Sequence, residues 1–313
     1  MTVNRHIERF HGLPVFEFSA APDGDAPAAL PAADAVAWRI AVEYDSPTGF
    51  QETLGAFLDA VDTDRVRALV IGAWWADGYE PLTAALAAVT GAAGRLPGLR
   101  ALFVGDVTYD ECEISWLEMC DVTGALTAFP ALHELVVRGG SGLVLRPVRH
   151  EALRALRLEA GGLPAEVVRA VGAGDFPALE RLELWLGVDE YGGDHSVEDL
   201  APFLTGVRFP ALRHLGLENS EYQDEIAAAV AHAPVVARLD HLSLAMGVLT
   251  DEGAGALLEG QPLTHLTSLD LHHHYLTEPM QQRLTEALAG VKVDLSDAED
   301  EEDEEDRYVA VAE

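Results

Sequence analysis

Three stretches of this 313-residue chain gather residue types that could do chemistry. The densest is Gly105–Asp121, GDVTYDECEISWLEMCD, where Asp106, Asp110, Glu111, Glu113, Glu118 and Asp121 surround Cys112 and Cys120. Carboxylate oxygens suit Mg²⁺ or Ca²⁺ and thiolates suit Zn²⁺, so a metal-dependent enzyme or accessory is one reading. The spacing matches neither an EF-hand loop nor a zinc ribbon. The competing reading is a surface loop in which Trp116, Ile114 and Leu117 plug the core and the cysteines are buried as small apolar side chains. The second stretch, Leu182–Ser196, carries Trp185 and then Asp189, Glu190, Tyr191, Asp194 and His195 among three glycines. It is either a plain connection or a rim loop that grips a ligand through Tyr191, Asp194 and His195. The third is the triple histidine His272–His274. Adjacent strand residues face opposite ways, so only His272 and His274 share a side. That favours a structural role over a metal site. There is no Walker A, dinucleotide fingerprint or H-E-x-x-H, and RGGSGL (Arg138–Leu143) lacks the closing glycine of a nucleophile elbow. The expectation is no catalytic residue, no metal and no cofactor.

The elements that must hold these residues are visible by repetition. Phe-Pro-Ala-Leu opens at Phe129, Phe176 and Phe209, and LPGL at Leu96 is a close relative. Each opens L-x-x-L-x-L, the strand signature of a leucine-rich repeat. Its first position recurs at Val66, Leu99, Leu132, Leu153, Leu179, Leu212, Leu239 and Leu266. In the two cleanest copies Thr250 and Thr277 stand as N-caps before acidic first turns, which favour the positive end of a helix. This strand-plus-helix style resembles the ribonuclease-inhibitor class. The expected fold is α/β: a leucine-rich-repeat right-handed solenoid (horseshoe) with parallel strands on the concave face and helices outside. Residues 1–65 form an N-terminal capping region, with a strand over Ala37–Tyr44 and a helix over Phe50–Val61, joined to the start by a loop rich in Ala, Pro, Asp and Gly. Residues 66–296 form the solenoid. Residues 297–313 form an acidic loop and a C-terminal capping strand, Tyr308–Val311, that covers the open sheet edge.

Strand alternation selects which residues point into the hollow. One column reads Val70, Phe103, Val136, Arg157, Glu183, Gly216, Ser243, Asp270; the next reads Gly72, Gly105, Arg138, Glu159, Trp185, Glu218, Ala245, His272. The candidate binding face is therefore Arg138, Arg157, Glu159, Glu183, Trp185 and Glu218, with the alternative that its Arg and Glu form an internal ladder. Eight strands about 4.8 Å apart make a face of roughly 35 Å, which suits a peptide or protein partner better than a small metabolite.

Net charge is −33, and nine of the ten residues Asp297–Asp306 are acidic. Such a charge disfavours nucleic acid, whose phosphates need clustered Lys and Arg, and disfavours an anionic membrane surface. No apolar run approaches the length of a signal peptide core or a membrane span, so the cytoplasm is expected.

The stretches GDVTYDECEISWLEM, VVRGGSGL, EAGGLP, LELWLGVDEYGGD, LRHLGLENS and RYVAVAE resemble those of an uncharacterised bacterial leucine-rich-repeat family common in Streptomyces and other actinobacteria. Ala160 stands in EAGGLP where that family has serine. The resemblance covers nearly the whole chain. It implies a gene neighbourhood with radical-SAM, ATP-grasp and sulfatase-like proteins, and a non-enzymatic recognition or scaffold component of a modification pathway. No catalytic residue is carried over.

Overall fold

A computed structural model describes residues 3–19, 30–299 and 307–313. Most of the Ala/Pro-rich loop and of the acidic run lies outside these. The described chain opens with β1 (Arg9–Phe10), β2 (Leu13–Glu17), β3 (Ala37–Ile40), α1 (Phe50–Ala60), β4 (Ala68–Ile71), α2 (Thr83–Gly91) and β5 (Ala101–Val104). Next come α3 (Thr123–Ala128), β6 (Glu134–Arg138), β7 (Ala155–Glu159), α4 (Ala165–Ala173), β8 (Arg181–Gly187) and α5 (Ala201–Thr205). The last are β9 (His214–Ser220), α6 (Gln223–Val230), β10 (His241–Ser243), α7 (Asp251–Glu259), β11 (Ser268–Asp270), α8 (Glu278–Ala287) and β12 (Lys292–Asp294).

All twelve described strands lie in chain order in one open sheet. Only β1 and β2 pair antiparallel; every other neighbouring pair is parallel. Parallel neighbours need a crossover, and helices supply most of them; β6 and β7 are joined by an irregular connection. This is a mixed α/β, solenoid-like architecture. No helix among the described residues is long and apolar enough to cross a membrane.

The repeated leucines explain why the units stack. Leu69, Leu102, Leu135, Leu156, Leu182, Leu215, Leu242 and Leu269 pair in register along the sheet and are at most 1% exposed. They belong to one apolar core shared with Leu54, Leu86, Val168, Ile226 and Leu257 of the helices. Removing one such leucine side chain costs about 2–5 kcal/mol. Polar braces repeat as well. Asp224 accepts from the Thr250 backbone N–H at 2.8 Å, and Asp251 accepts from the Thr277 N–H at 2.9 Å, so a helix holds the N-cap of the next.

The termini depart from expectation. The His11–Gly12 turn, with φ of +50° and +76°, folds β1 back on β2. While β2 pairs with β3 in the sheet, β1 and the residues before it reach over the face opposite the helices: Phe10 lies 5.8 Å from Phe103, and Ile7 and Leu13 join a second apolar cluster with Val70, Ala101 and Val136. At the other end, residues 307–313 contain no strand, against the capping strand expected over Tyr308–Val311. Instead this segment runs back over the connections that follow β11 and β10 and over the end of β9. The Ala310 N–H bonds Met246 O at 2.8 Å, and the Val311 N–H bonds the Asn219 side chain at 2.9 Å. The bonds that an edge strand would make to β12 go to other repeats.

Candidate functional site

The two terminal segments leave a cavity of about 510 Å³ between them on the open face of β5–β8. Its walls include Phe10 and Ile7 from one end of the chain and Val311 from the other. Its floor holds Arg138, Arg157, Glu159, Glu183 and Trp185. Their grouping follows from the register: Val136 faces Arg157, Arg157 faces Glu183, Arg138 faces Glu159, and Trp185 faces Glu218. Glu218, the sixth residue of the expected face, is 7% exposed and outside the lining, and bonds Trp185.

The floor is part of an alternating charge ladder that begins outside the cavity, at Arg39 and Asp106. Arg39 Nε donates to Asp106 Oδ2 at 3.0 Å, and Arg138 Nη1 lies 3.7 Å from Asp106 Oδ1. Arg138 Nε then donates to Glu159 Oε2 at 2.7 Å. Arg157 Nε sits 3.0 Å from Glu159 Oε1 and 3.4 Å from Glu183 Oε2. Glu183 Oε1 accepts from Arg181 at 2.6 Å and lies 2.9 Å from His214 Nε2. Buried carboxylates need such partners, because an unpaired ion away from water costs several kcal/mol. Burial alone would raise the Glu183 carboxyl, but His214, Arg157 and Arg181 hold it down at about 2. Glu218 moves the other way: burial, helped by the negative charge of Glu183, pushes its pKa up.

Two arginines stand over aromatic rings. The Arg138 guanidinium lies 5.1 Å from the Phe103 centroid, and that of Arg157 lies 5.2 Å from Trp185. Arg138 is buried and spent: its Nη1 also bonds Val107 O at 3.0 Å. Arg157 is different. Its side chain is 37% exposed, and Nε is its nearest atom to both carboxylates, an approach governed by charge, since that buried N–H makes no hydrogen bond among the described residues. Its two terminal nitrogens make no hydrogen bond among the described residues either, and the side chain lines the cavity. Burial works against its charge, but Glu159 and Glu183 more than offset that and raise its pKa.

Other sequence candidates fall elsewhere. Trp185 points to the open face but is only 6% exposed, and its indole N–H is committed to Glu218 at 2.9 Å; it is a platform, not a protruding anchor. The rim loop does not join the cavity. Tyr191 bonds the Glu313 carboxylate, Asp194 accepts the Ala165 N–H at 2.7 Å to start α4, and His195 is buried beside Tyr222. In the 105–121 insertion Ile114 and Leu117 plug the core, whereas Trp116, expected with them, is 60% exposed. Cys112 and Cys120 are free thiols, and burial, with Glu113 and Glu111 adding to it, pushes Cys112 up to about 11. Among the described residues no group of three or more His, Cys, Asp or Glu could hold a metal ion. His274 is buried, with its ring between the Leu276 N–H and Leu295 O, while His272 lines the cavity and bonds Asp270 at 2.8 Å.

Sequence reasoning missed Phe10, Ile7 and Val311 as cavity walls. The two-residue His11–Gly12 turn between Phe10 and Leu13 is a hairpin signal that could have found the first two.

Fold and site together define an α/β repeat-like protein with a charged, half-open cavity on its open sheet face. No protein-family model matches the chain, and no curated protein matches it. Among solved structures it is similar to a protein of Bacteroides fragilis determined by crystallography as a structural-genomics target. The two are 28% identical with a TM-score of 0.79, over 84% of this chain and 74% of that one.

Proposed function

We propose that the chain is a non-catalytic recognition module, a right-handed leucine-rich-repeat horseshoe whose concave face is the open sheet face and binds a peptide or protein partner. The cavity receives a carboxylate of that partner, a chain terminus or an acidic side chain, on the terminal nitrogens of Arg157. One observation carries this: a guanidinium held by charge between Glu159 and Glu183 and lying over Trp185, with no hydrogen bond to its planar fork among the described residues, in the lining of a cavity of about 510 Å³. Arginine binds carboxylates through two parallel hydrogen bonds, so a preset fork is suited to that group. The remaining ions are paired with one another, and Glu183 at about 2 is a poor proton acceptor at neutral pH, which supports binding over acid–base catalysis.

At longer range a body of net charge −33 attracts basic segments, so the bound carboxylate belongs to a partner that is basic around it. The module would act in the cytoplasm, where free Cys112 and Cys120 stay reduced, as an accessory that holds the substrate or enzyme of a modification pathway. The test is capture of partners from the native host by the wild-type chain and by Arg157→Met, with thermal unfolding confirming that both are folded. Loss of the specific partner from the variant is expected, with at least a tenfold weaker affinity once it is purified. Equal recovery by both forms sinks the proposal.

A further inference from the structure

A second cavity, of about 530 Å³, opens where β2–β5 end, apart from the Arg157 site. Its aromatic wall is Trp75, Tyr79 and Tyr44. Trp75 is held from behind by Trp74, with ring centroids 4.9 Å apart at 88°, and meets Tyr79 at 5.6 Å. Tyr79 is 55% exposed and Tyr44 is 78% exposed, so neither contributes much to the core. Trp75 itself is only 8% exposed and serves as backing, so Tyr79 and Tyr44 are the rings that offer negative faces to a ligand.

The charge around these rings is of one sign. The connections after β3, β4 and β5, residues 41–49, 72–82 and 105–122, contain no Lys, Arg or His. They contribute Glu43, Asp110 and Glu111 to the cavity. Arginines gather instead at the opposite sheet edge, before the strands, as with Arg65, Arg67, Arg95 and Arg100. Two cations do touch the cavity, and both are engaged. Arg39 is clamped by Asp106 at 3.0 Å and Glu17 at 2.7 Å, and His6 lies 3.5 Å from both Asp106 and Glu111. Glu43 and Asp110, by contrast, make no side-chain ion pair or hydrogen bond among the described residues. An acidic rim with spare carboxylates beside aromatic faces selects positive charge carried on an apolar or planar frame.

We infer that this cavity binds an organic cation, an alkylammonium or guanidinium head, seated against Tyr79, which packs on Trp75, with Glu43 and Asp110 as counter-charges. The inference is independent of the Arg157 site and stands or falls without it. The head could come from a free small molecule or from a basic side chain of a polypeptide, and the experiment separates the two.

The full chain is titrated at constant ionic strength, by calorimetry and by tryptophan fluorescence, with tetramethylammonium, with argininamide, and with neopentyl alcohol as an uncharged probe of similar shape to the first. Saturable one-site binding of at least one cation is expected, at least tenfold tighter than the alcohol. Tyr79→Leu and Glu43→Gln, both at exposed positions that spare the core, are each expected to weaken it at least threefold. A short peptide carrying one internal arginine then identifies the source: tenfold tighter binding than argininamide marks a polypeptide, and equal or weaker binding marks a free cation. No saturable binding of either cation, equal binding of the alcohol, or unchanged affinity in both variants overturns the inference.

Discussion

The guanidinium of Arg157 lies 5.2 Å from the ring of Trp185, although the two residues sit on neighbouring strands and in different side-chain rows. The diagonal places a flexible cation on a rigid plane. Trp185 is held in turn by Glu218, whose carboxylate takes its indole N–H. The Arg157 fork is therefore preorganised by three buried groups, Glu159, Glu183 and Trp185, and little side-chain entropy is left to lose on binding.

Arg157→Met should separate the binding role from the structural one. It keeps most of the apolar stem but removes the charge between Glu159 and Glu183, so each buried carboxylate loses one neighbour. Arg138 still holds Glu159, and Arg181 still holds Glu183. Chemical denaturation should show a loss of about 1–3 kcal/mol, smaller than removing an only partner would cause. Arg157→Lys should recover most of that stability but not the tight carboxylate binding, because an ammonium offers no planar fork.

Glu183 predicts acid sensitivity. Its folded pKa of about 2 lies below the usual carboxylate value, so the unfolded chain takes up the proton first as pH falls. The stability it contributes is complete above about pH 4.5 and is lost progressively toward pH 2, on the order of 3 kcal/mol in all. Urea midpoints measured between pH 6 and pH 3 should fall in the wild-type chain. In Glu183→Gln they should start lower and fall less steeply.

The pKa values of two histidines are displaced in opposite directions. His195 is 5% exposed, and burial lowers its pKa despite Asp199 and Asp194 nearby; His272 is raised, first by its hydrogen bond to Asp270. A pH titration of imidazole NMR signals should find His195 neutral well below the pH at which His272 loses its proton. The stability consequences oppose each other as well. His195 costs stability as pH drops below about 6.5, where the unfolded chain protonates, and His272 gives up its contribution as pH rises through its folded pKa. A His195 signal that moves with that of His272 would contradict the burial argument.

The repeat and the floor of the cavity were legible for one reason. Leu-x-x-Leu-x-Leu fixes which side of each strand is apolar, and strand alternation then assigns the opposite side residue by residue. Hence Arg138, Arg157, Glu159, Glu183 and Trp185 could be placed on one face before any coordinate was known. The ends of the chain carry no such repeat. RYVAVAE has the alternation of a strand, but its partners are Asn219 at the end of β9 and Met246 and Tyr275 in the connections after β10 and β11, all distant in sequence. Trp116 was misplaced because alternation does not govern a short 3₁₀ turn, in which Ile114 turns inward and Trp116 outward. The width of the open face was overestimated for the same reason: two unrepetitive termini cross it.

Truncation after Asp306 tests whether the C-terminal segment is part of the fold. Asn219 is fully buried with φ of +59°, and its side-chain amide both donates to Val311 O and accepts the Val311 N–H. Removing the segment leaves that amide without either bond and uncovers the apolar surface against which Val309, Ala310 and Val311 are buried. Two lost hydrogen bonds at about 1 kcal/mol each, with a few more from apolar exposure, give an expected loss of about 3–5 kcal/mol. Asn219→Gly keeps the left-handed backbone accessible while deleting the amide, so it should lose only the hydrogen-bond share, about 1–2 kcal/mol. Thermal unfolding of the two variants should therefore rank wild type above Asn219→Gly above the truncation. A truncated chain as stable as the wild type would mean that the segment merely rests on the loops, and the cavity would then lose the wall that Val311 provides.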